Sequence, residues 1–224
     1  MLVALDTETH LIEQGCLAPR VVCMSVCYDL PHEAILYTRD KHVRWAEIGR
    51  RVAEPGGMEE ELYNILSQGF YIVGHKIAYD MAVLGQAFPD LQSLIWQAYE
   101  NTLIADTMIR AKLSAIARGT MQWDATIEAK PSFALDALAQ YYLGDRLDKN
   151  TWRLRYADFD NVPLEEWPTG AKQYPLVDAI TTRRVRESDN SVYPDEWLQV
   201  RAAWALHLAS CWGFTIDQDA VRRL

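Results

Sequence analysis

Short apolar runs dominate the N-terminal part of the chain, whereas apolar residues further along recur at helical spacing. Five runs have the length and composition of β-strands, at residues 2–5, 20–28, 33–37, 70–74 and 102–105. Helical spacing marks residues 43–53, 58–66, 78–87, 89–98, 106–118, 134–143, 169–187 and 195–212. Strands first, then strands alternating with helices, predict an α/β fold with a mixed five-stranded sheet flanked by helices.

The stretches between these elements predict how the chain is organised. Residues 119–132 have no clear period and are predicted to be a loop, and residues 151–168 to be ordered but irregular. Residues 188–194 are polar and contain a proline, which is typical of a linker. We therefore expect one domain over residues 1–187, followed by a linker and a helix over residues 188–224.

Composition narrows the possible functions. The chain has 224 residues, half of them hydrophobic, and a formal charge of −9. No apolar run approaches the ~18 residues that span a bilayer, and no secretory signal precedes the first strand, so we expect a cytoplasmic protein without a membrane partner. The four cysteines show no metal-binding spacing, and Cys23 and Cys27 share one strand face as small buried residues. The acidic balance argues against binding nucleic acid by bulk charge.

Acidic side chains are placed at the ends and starts of predicted elements. Asp6 and Glu8 end the first strand and, at i and i+2, point to the same face. Asp80 begins the helix after residues 70–74, while Tyr174 and Asp178 share one face of a later helix at i and i+4. Taken singly, each of these has an ordinary explanation. Asp6 and Glu8 would be a solvated pair at a strand end, Asp80 a helix N-terminal acid favoured by the helix dipole, and Tyr174 and Asp178 an exposed pair.

Taken together, the four carboxylates predict a metal site. Clustered carboxylates repel one another unless cations neutralise them, and ligands that offer only oxygen select Mg²⁺ or Mn²⁺. Two such ions roughly 4 Å apart stabilise the attacking and leaving oxygens in phosphodiester hydrolysis.

The same residues resemble the DEDD superfamily of 3′–5′ exonucleases, in its tyrosine-containing branch. The motifs are Leu5-Asp6-Thr7-Glu8-Thr9, Gly74-His75-Lys76-Ile77-Ala78-Tyr79-Asp80 and Tyr174-Pro175-Leu176-Val177-Asp178. More specifically, residues 1–186 look like the proofreading domain of a phage-type family A DNA polymerase. This resemblance implies an RNase H-like (DnaQ-like) fold and, for a phage-encoded protein, the cytoplasm of the host cell.

The resemblance also implies a role for each site residue. Asp6, Glu8 and Asp178 would hold one of two divalent cations, Mg²⁺ or Mn²⁺, and Asp6 with Asp80 would hold the second. Tyr174 and Glu8 would orient the attacking water. Asp106 looks like a structural acid at a helix start. The residues expected near the substrate are Thr7, Leu11, Ile12, His75 and Lys76. The alternative for Leu11 and Ile12 is ordinary packing at the sheet edge. The alternative for His75 is a loop histidine whose hydrogen bonds are satisfied within the fold.

One position departs from the family pattern. Lys76 stands where the family usually has asparagine, and a lysine offers only donors and a positive charge. It would contact a phosphate or repel a metal ion, so the departure affects substrate positioning more than the four carboxylates. A short basic run, Arg183, Arg184 and Arg186, has two alternatives as well, a solvated helix face and a phosphate contact.

The expected function is a metal-dependent 3′–5′ exonuclease acting on a single-stranded or frayed DNA 3′ end. Residues 201–217 resemble the start of a polymerase module, which implies such a module as a partner in cis or in trans. The alternatives are an RNA-processing exonuclease of the same superfamily and a catalytically decayed nucleic-acid-binding module. Residues 110–155 carry 8 basic and 5 acidic side chains, so we expect a phosphate track there, at Arg118, Lys130, Lys149, Arg153 and Arg155.

Overall fold

A computed structural model describes residues 1–13, 15–28, 33–48, 53–121, 132–147, 151–213 and 217–223. Seven strands form one sheet, namely β1 (Leu2–Thr9), β2 (Val21–Cys27), β3 (Ala34–Tyr37), β4 (Lys41–Arg44), β5 (Glu54–Pro55), β6 (Tyr71–Gly74) and β7 (Ile104–Asp106). Their order is β5-β4-β3-β2-β1-β6-β7. β1 pairs antiparallel with β2 and parallel with β6, so the acidic strand lies in the interior of the sheet.

Eight α-helices accompany the sheet within the described residues. They are α1 (Met58–Ser67), α2 (Ile77–Ala87), α3 (Gln92–Glu100), α4 (Thr107–Ala117), α5 (Leu135–Leu143), α6 (Thr169–Ser188), α7 (Glu196–Trp212) and α8 (Gln218–Arg222). Short 3₁₀ turns occupy Trp45–Glu47, Pro89–Leu91, Tyr156–Phe159 and Leu164–Glu166. None of the described helices has the length and apolar character needed to cross a bilayer.

Alternation along β1 divides the core between the two faces of the sheet. Val3 and Leu5 face a cluster that contains residues of α1, α2, α3 and α7. Ala4 faces a second cluster, which is covered by α6 and by the 3₁₀ turns Tyr156–Phe159 and Leu164–Glu166. Cys23 and Cys27 are fully buried in that second cluster, as predicted. Because successive residues of a strand point to opposite faces, Asp6 and Glu8 share the α6 side and Thr7 and Thr9 the α2 side.

The predicted helix over residues 43–53 is wrong where the structure describes it. Val43 lies in β4 and pairs with Leu36 of β3, and β4 in turn pairs with β5. Pairing with the edge of the sheet overrides the helical spacing of a short apolar run. The sheet therefore has seven strands instead of five, while the α/β class is unchanged. The predicted loop over residues 119–132 lies largely outside the described residues.

The segment after α6 is fastened to the rest of the fold. Arg110 of α4 is buried and pairs with Glu196 of α7, and its guanidinium also donates to the backbone carbonyl of Asp189 at 2.9 Å. Val200 and Trp204 of α7 lie in the cluster on the α2 side of the sheet. Residues 189–204 thus share the core of the fold, and the start of a second module within residues 188–224 stays a prediction.

Two tryptophans of α7 test this packing. Trp204 is 4 % exposed and stacks on Tyr99 with ring centroids 4.8 Å apart, whereas Trp212 is 86 % exposed. We expect Trp204→Ala to lower the free energy of unfolding by about 3–5 kcal/mol, because it leaves a cavity in the core. The matched control Trp212→Ala should change it by less than about 0.5 kcal/mol. Urea denaturation followed by circular dichroism measures both, and equal effects would contradict the packing of α7 into the core.

Candidate active site

Three carboxylates meet at the carboxyl end of β1. One oxygen each of Asp6, Glu8 and Asp178 lies within 4.8 Å of the other two. Asp6 and Glu8 come from β1, and Asp178 comes from α6, which packs against that strand. The pairing of β1 with β2 shifts register between Glu8 and Thr9, a bulge of the kind that often lies beside functional sites. The structure thus brings three of the four predicted acids together.

α6 is held over β1 by hydrogen bonds around Pro175. A proline lacks the N–H that would donate to the carbonyl four residues earlier, here that of Ala171. The hydroxyl of Tyr156 donates to this carbonyl at 2.9 Å instead. On the other side, the hydroxyl of Ser25 donates to the carbonyl of Pro175 at 2.8 Å. Ser25 is paired with Asp6 across β1 and β2, so this contact fixes the helix beside the first acid of the site.

Tyr174 lies next to the carboxylates and stays neutral. Burial raises the pKa of its hydroxyl well above the ordinary value, and the charges of Asp178, Glu8 and Asp6 raise this pKa further. Its side chain is 9 % exposed. A neutral phenol keeps its proton, so Tyr174 is able to donate a hydrogen bond at this site.

Asp80 is turned toward the back of β1. Its carboxylate accepts hydrogen bonds from the backbone N–H of Thr7 at 3.0 Å and from the Thr7 hydroxyl at 2.6 Å. Burial raises the pKa of Asp80 to about 7, against the lowering effect of the Thr7 hydrogen bonds. Within the described part of the chain, the cluster of three acids does not include Asp80. Its predicted contact with a second cation therefore stays a prediction, as does substrate contact by Thr7, whose hydroxyl is engaged with Asp80.

A second bond between α2 and β1 was not anticipated from the sequence. The hydroxyls of Tyr79 and Thr9 lie 2.6 Å apart in a hydrogen bond. The pKa of Tyr79 is raised to about 12, mainly by burial. Adjacent residues of α2 thus hold Thr7 and Thr9, and this fixes the direction of Asp6 and Glu8 on the opposite face. The position of Tyr79 inside the second motif is the one sequence signal for a role at the site. Nothing in the sequence points to Thr9 as its partner.

Lys76 explains why asparagine suits this position in the family pattern. Lys76 precedes α2 in the left-handed conformation, with φ of 62°. Asparagine enters that region more readily than lysine, which pays about 1 kcal/mol. Its side chain is exposed, and Lys76 together with burial lowers the pKa of His207 on α7. The charge of Lys76 thus acts on α7, and a phosphate contact by Lys76 stays a prediction.

The remaining predicted substrate residues are divided between the interior and the surface. Nδ1 of His75 lies 2.9 Å from the hydroxyl of Thr107, which agrees with a satisfied loop histidine. Leu11 and Ile12 follow β1 and are 52 % and 56 % exposed, so neither is packed at the sheet edge. Their contact with a terminal base stays a prediction.

Asp106 has the structural role predicted for it. Its carboxylate caps α4 by accepting from the N–H groups of Met108 and Ile109, at 2.8 and 3.1 Å. Its other oxygen accepts from the N–H of Ile77 at 3.0 Å, at the start of α2. One side chain therefore joins the starts of two helices beside the site.

The basic run on α6 serves the fold. Arg183 donates to the backbone carbonyls of Leu2 and Tyr28, and Arg184 pairs with Asp145. The guanidinium of Arg186 lies 6.0 Å from the ring centroid of Tyr71. Arg183 is thus engaged in the fold, whereas the Arg184–Asp145 pair is about 40 % exposed and agrees with a solvated helix face. A phosphate contact by Arg184 or Arg186 stays a prediction.

The three clustered acids fit a divalent cation. Their donor atoms are all carboxylate oxygens, the set that Mg²⁺ and Mn²⁺ prefer over softer metals. A cation among Asp6, Glu8 and Asp178 would also remove the repulsion between them.

Comparison with known structures identifies the fold. The chain resembles NrnC from Brucella melitensis with a TM-score of 0.50 and 16 % sequence identity, over 94 % of this chain and 81 % of NrnC. At this identity the likeness is one of fold, and it confirms the predicted RNase H-like, DnaQ-like α/β class. No protein-family model matches the chain, and no curated protein matches its sequence.

The buried Asp80 predicts how stability depends on pH without metal. Its pKa in the folded protein is about 7, above the unfolded value near 3.9, so the folded state binds more protons between these values. The free energy of unfolding should therefore decline as pH rises from about 4 to about 7, by up to ~1.4 kcal/mol per pH unit.

Asp80→Asn should remove this contribution, because an amide does not ionise and its oxygen still accepts from Thr7. Asp136→Asn, at an exposed position of α5, is the matched control and should keep the slope. Urea denaturation in the presence of a chelator measures all three proteins. An identical pH dependence in wild type and Asp80→Asn would contradict the raised pKa.

Proposed function

We propose that the protein is a divalent-metal-dependent 3′–5′ exonuclease that removes nucleotides from a DNA 3′ end. The observation that carries this proposal is the cluster of Asp6, Glu8 and Asp178 beside Tyr174, where α6 packs on an interior strand of an RNase H-like sheet. An isolated acidic pair would not support it. The order of the three motifs along the chain and the convergence of the acids of the first and third motifs point to the same chemistry.

The residues divide the work of hydrolysis between them. Asp6, Glu8 and Asp178 would hold one cation, and Asp6 with Asp80 would hold the second. When bound, such ions activate water and stabilise the charge on the phosphate oxygens. Glu8 and Tyr174 orient the water for attack on the terminal phosphorus. The bond from phosphorus to the 3′ oxygen breaks, so the shortened strand keeps a 3′ hydroxyl and the released nucleotide carries a 5′ phosphate.

The substrate proposed is a frayed or single-stranded end. The site must reach the last phosphodiester, and an unpaired end is cheaper to draw away from its partner than a base pair. Leu11 and Ile12, exposed just after β1, are placed to contact the terminal base. We further propose that the reaction takes place in a cytoplasm, that of the host for a phage-encoded protein.

DNA is the proposed substrate because of the tail of the chain. Residues 201–217 resemble the start of a family A polymerase module, which makes proofreading beside such a module, in cis or in trans, the proposed context. An RNA-processing 3′–5′ exonuclease would use the same fold and carboxylates, and these fit it equally well. A decayed nucleic-acid-binding module is the third candidate, and the presence of all four acids argues against it.

Replacing the clustered acids should abolish hydrolysis. We expect Asp6→Asn and Asp178→Asn each to lower kcat by at least about 100-fold, because each removes a proposed metal ligand and keeps the size of the side chain. The assay is the shortening of a 5′-labelled single-stranded DNA with Mg²⁺, and a chelator should stop the wild-type reaction.

Asp136→Asn serves as the matched control, and circular dichroism checks that each variant is folded. Rates like wild type in both site variants, or full activity with chelator present, would contradict the proposal. Calorimetric titration with Mn²⁺ separates the third candidate, since a wild-type protein that binds no metal would be a decayed module.

Matched DNA and RNA oligonucleotides decide between the two exonuclease candidates. We expect a kcat/KM for DNA above that for RNA of the same sequence, measured on 5′-labelled strands of equal length with Mg²⁺. The 2′ hydroxyl is the feature that lets a protein tell the two apart. Equal or higher kcat/KM for RNA would favour the RNA-processing function, and 3′-labelled strands check the direction of attack.

A further inference from the structure

Several basic side chains that could bind phosphate are engaged in other contacts. Arg155 pairs with Asp158 at 3.5 Å and lies over Trp152, with 5.3 Å to the ring centroid. Arg118 donates to the Tyr141 hydroxyl at 2.8 Å, and Lys41 pairs with Glu165 at 2.6 Å. Of the residues in the predicted phosphate track, Lys130 and Lys149 lie outside the described part of the chain.

Arg153 differs from its basic neighbours. Its side chain is exposed, and it makes no hydrogen bond or ion pair with any residue in the part of the chain that the structure describes. Its charge nevertheless acts on Tyr174, where it opposes the rise in pKa that burial and the carboxylates cause. Arg153 therefore presents near Tyr174 a guanidinium that no other described residue engages.

The backbone at Arg153 is anchored next to the same helix. The ring of the preceding Trp152 packs so closely on Gly170 that a β-carbon there would lie 2.8 Å from the indole nitrogen. Trp152 also packs against Phe159, with ring centroids 5.9 Å apart. Gly170 lies on α6 four residues, about one turn, before Tyr174. The anchor thus holds Arg153 at the end of α6 that carries Tyr174, independently of any charge effect.

We propose that Arg153 binds a backbone phosphate of the strand whose 3′ end occupies the carboxylate site. This inference rests on the proposed nuclease function and adds a residue that the motifs do not include. A planar guanidinium forms paired hydrogen bonds with phosphate oxygens, and an exposed arginine does not need to be displaced from another partner first. The three carboxylates repel phosphate, so a cation at their rim offsets this for the incoming strand.

The test compares Arg153→Gln, Arg153→Lys and the control Arg201→Gln, at an exposed position of α7. Loss of one phosphate contact should raise KM for single-stranded DNA by about tenfold and leave kcat within about twofold. It should also lower the salt dependence of binding by about 0.7 in the slope of log K against log salt. Arg153→Lys should recover part of the affinity, and Arg201→Gln should behave like wild type. Fluorescence anisotropy with a labelled single strand and Ca²⁺ measures binding without turnover.

Each outcome decides one of the two claims. A wild-type protein without Mg²⁺-dependent hydrolysis defeats the proposed function, whatever Arg153 does. An active wild type with unchanged KM and salt slope in Arg153→Gln overturns the role of Arg153 alone. A fall in kcat with KM unchanged, or an equal effect of Arg201→Gln, also overturns it. Urea denaturation confirms that the variants keep the stability of the wild type.

Discussion

Repulsion among three carboxylates at the end of β1 is the constraint that the rest of the structure has to oppose. Oxygens of Asp6, Glu8 and Asp178 lie within 4.8 Å of one another, and their charges raise the pKa of groups around them. Burial raises the pKa of the Cys23 thiol, with Glu8 and Asp6 adding to the effect. Negative charges so close together separate unless the backbone holds them. A strand paired on both sides and a helix packed across it provide that support.

The support comes from contacts on both faces of β1. On one face, the hydroxyls of Ser25 and Tyr156 donate to the backbone carbonyls of Pro175 and Ala171 in α6. On the other face, Asp80 and Tyr79 of α2 hold Thr7 and Thr9. Each contact sets a backbone position and leaves the acidic side chains of β1 to point at α6. The site is therefore preorganised by hydrogen bonds on both faces of β1.

The local parts of this arrangement could be predicted from the sequence. Period and motif located β1, β6 and α6, placed Asp6 and Glu8 on one face, and identified Asp106 as a helix cap, because each of these depends on neighbours within a few residues. Contacts between distant residues could not be predicted: Ser25 and Pro175 are 150 positions apart, and no local pattern links them. The same reason accounts for β4, whose pairing with β3 outweighs its helical spacing, and for Asp80, which faces Thr7 instead of the other three acids.

The net charge of −9 does not by itself describe how the protein would attract a nucleic acid, because several basic side chains are engaged within the fold. Arg110 and Arg183 donate to backbone carbonyls, and Arg184 pairs with Asp145. Such residues hold the fold and add little attraction for a polyanion, since their charge is already engaged. Among the described residues, the contacts that we propose for a nucleic acid are local: the cations that the carboxylates would hold and the guanidinium of Arg153. An enzyme that removes one nucleotide at a time has to release the strand end repeatedly, and weak local attraction suits that task better than a broad basic surface would.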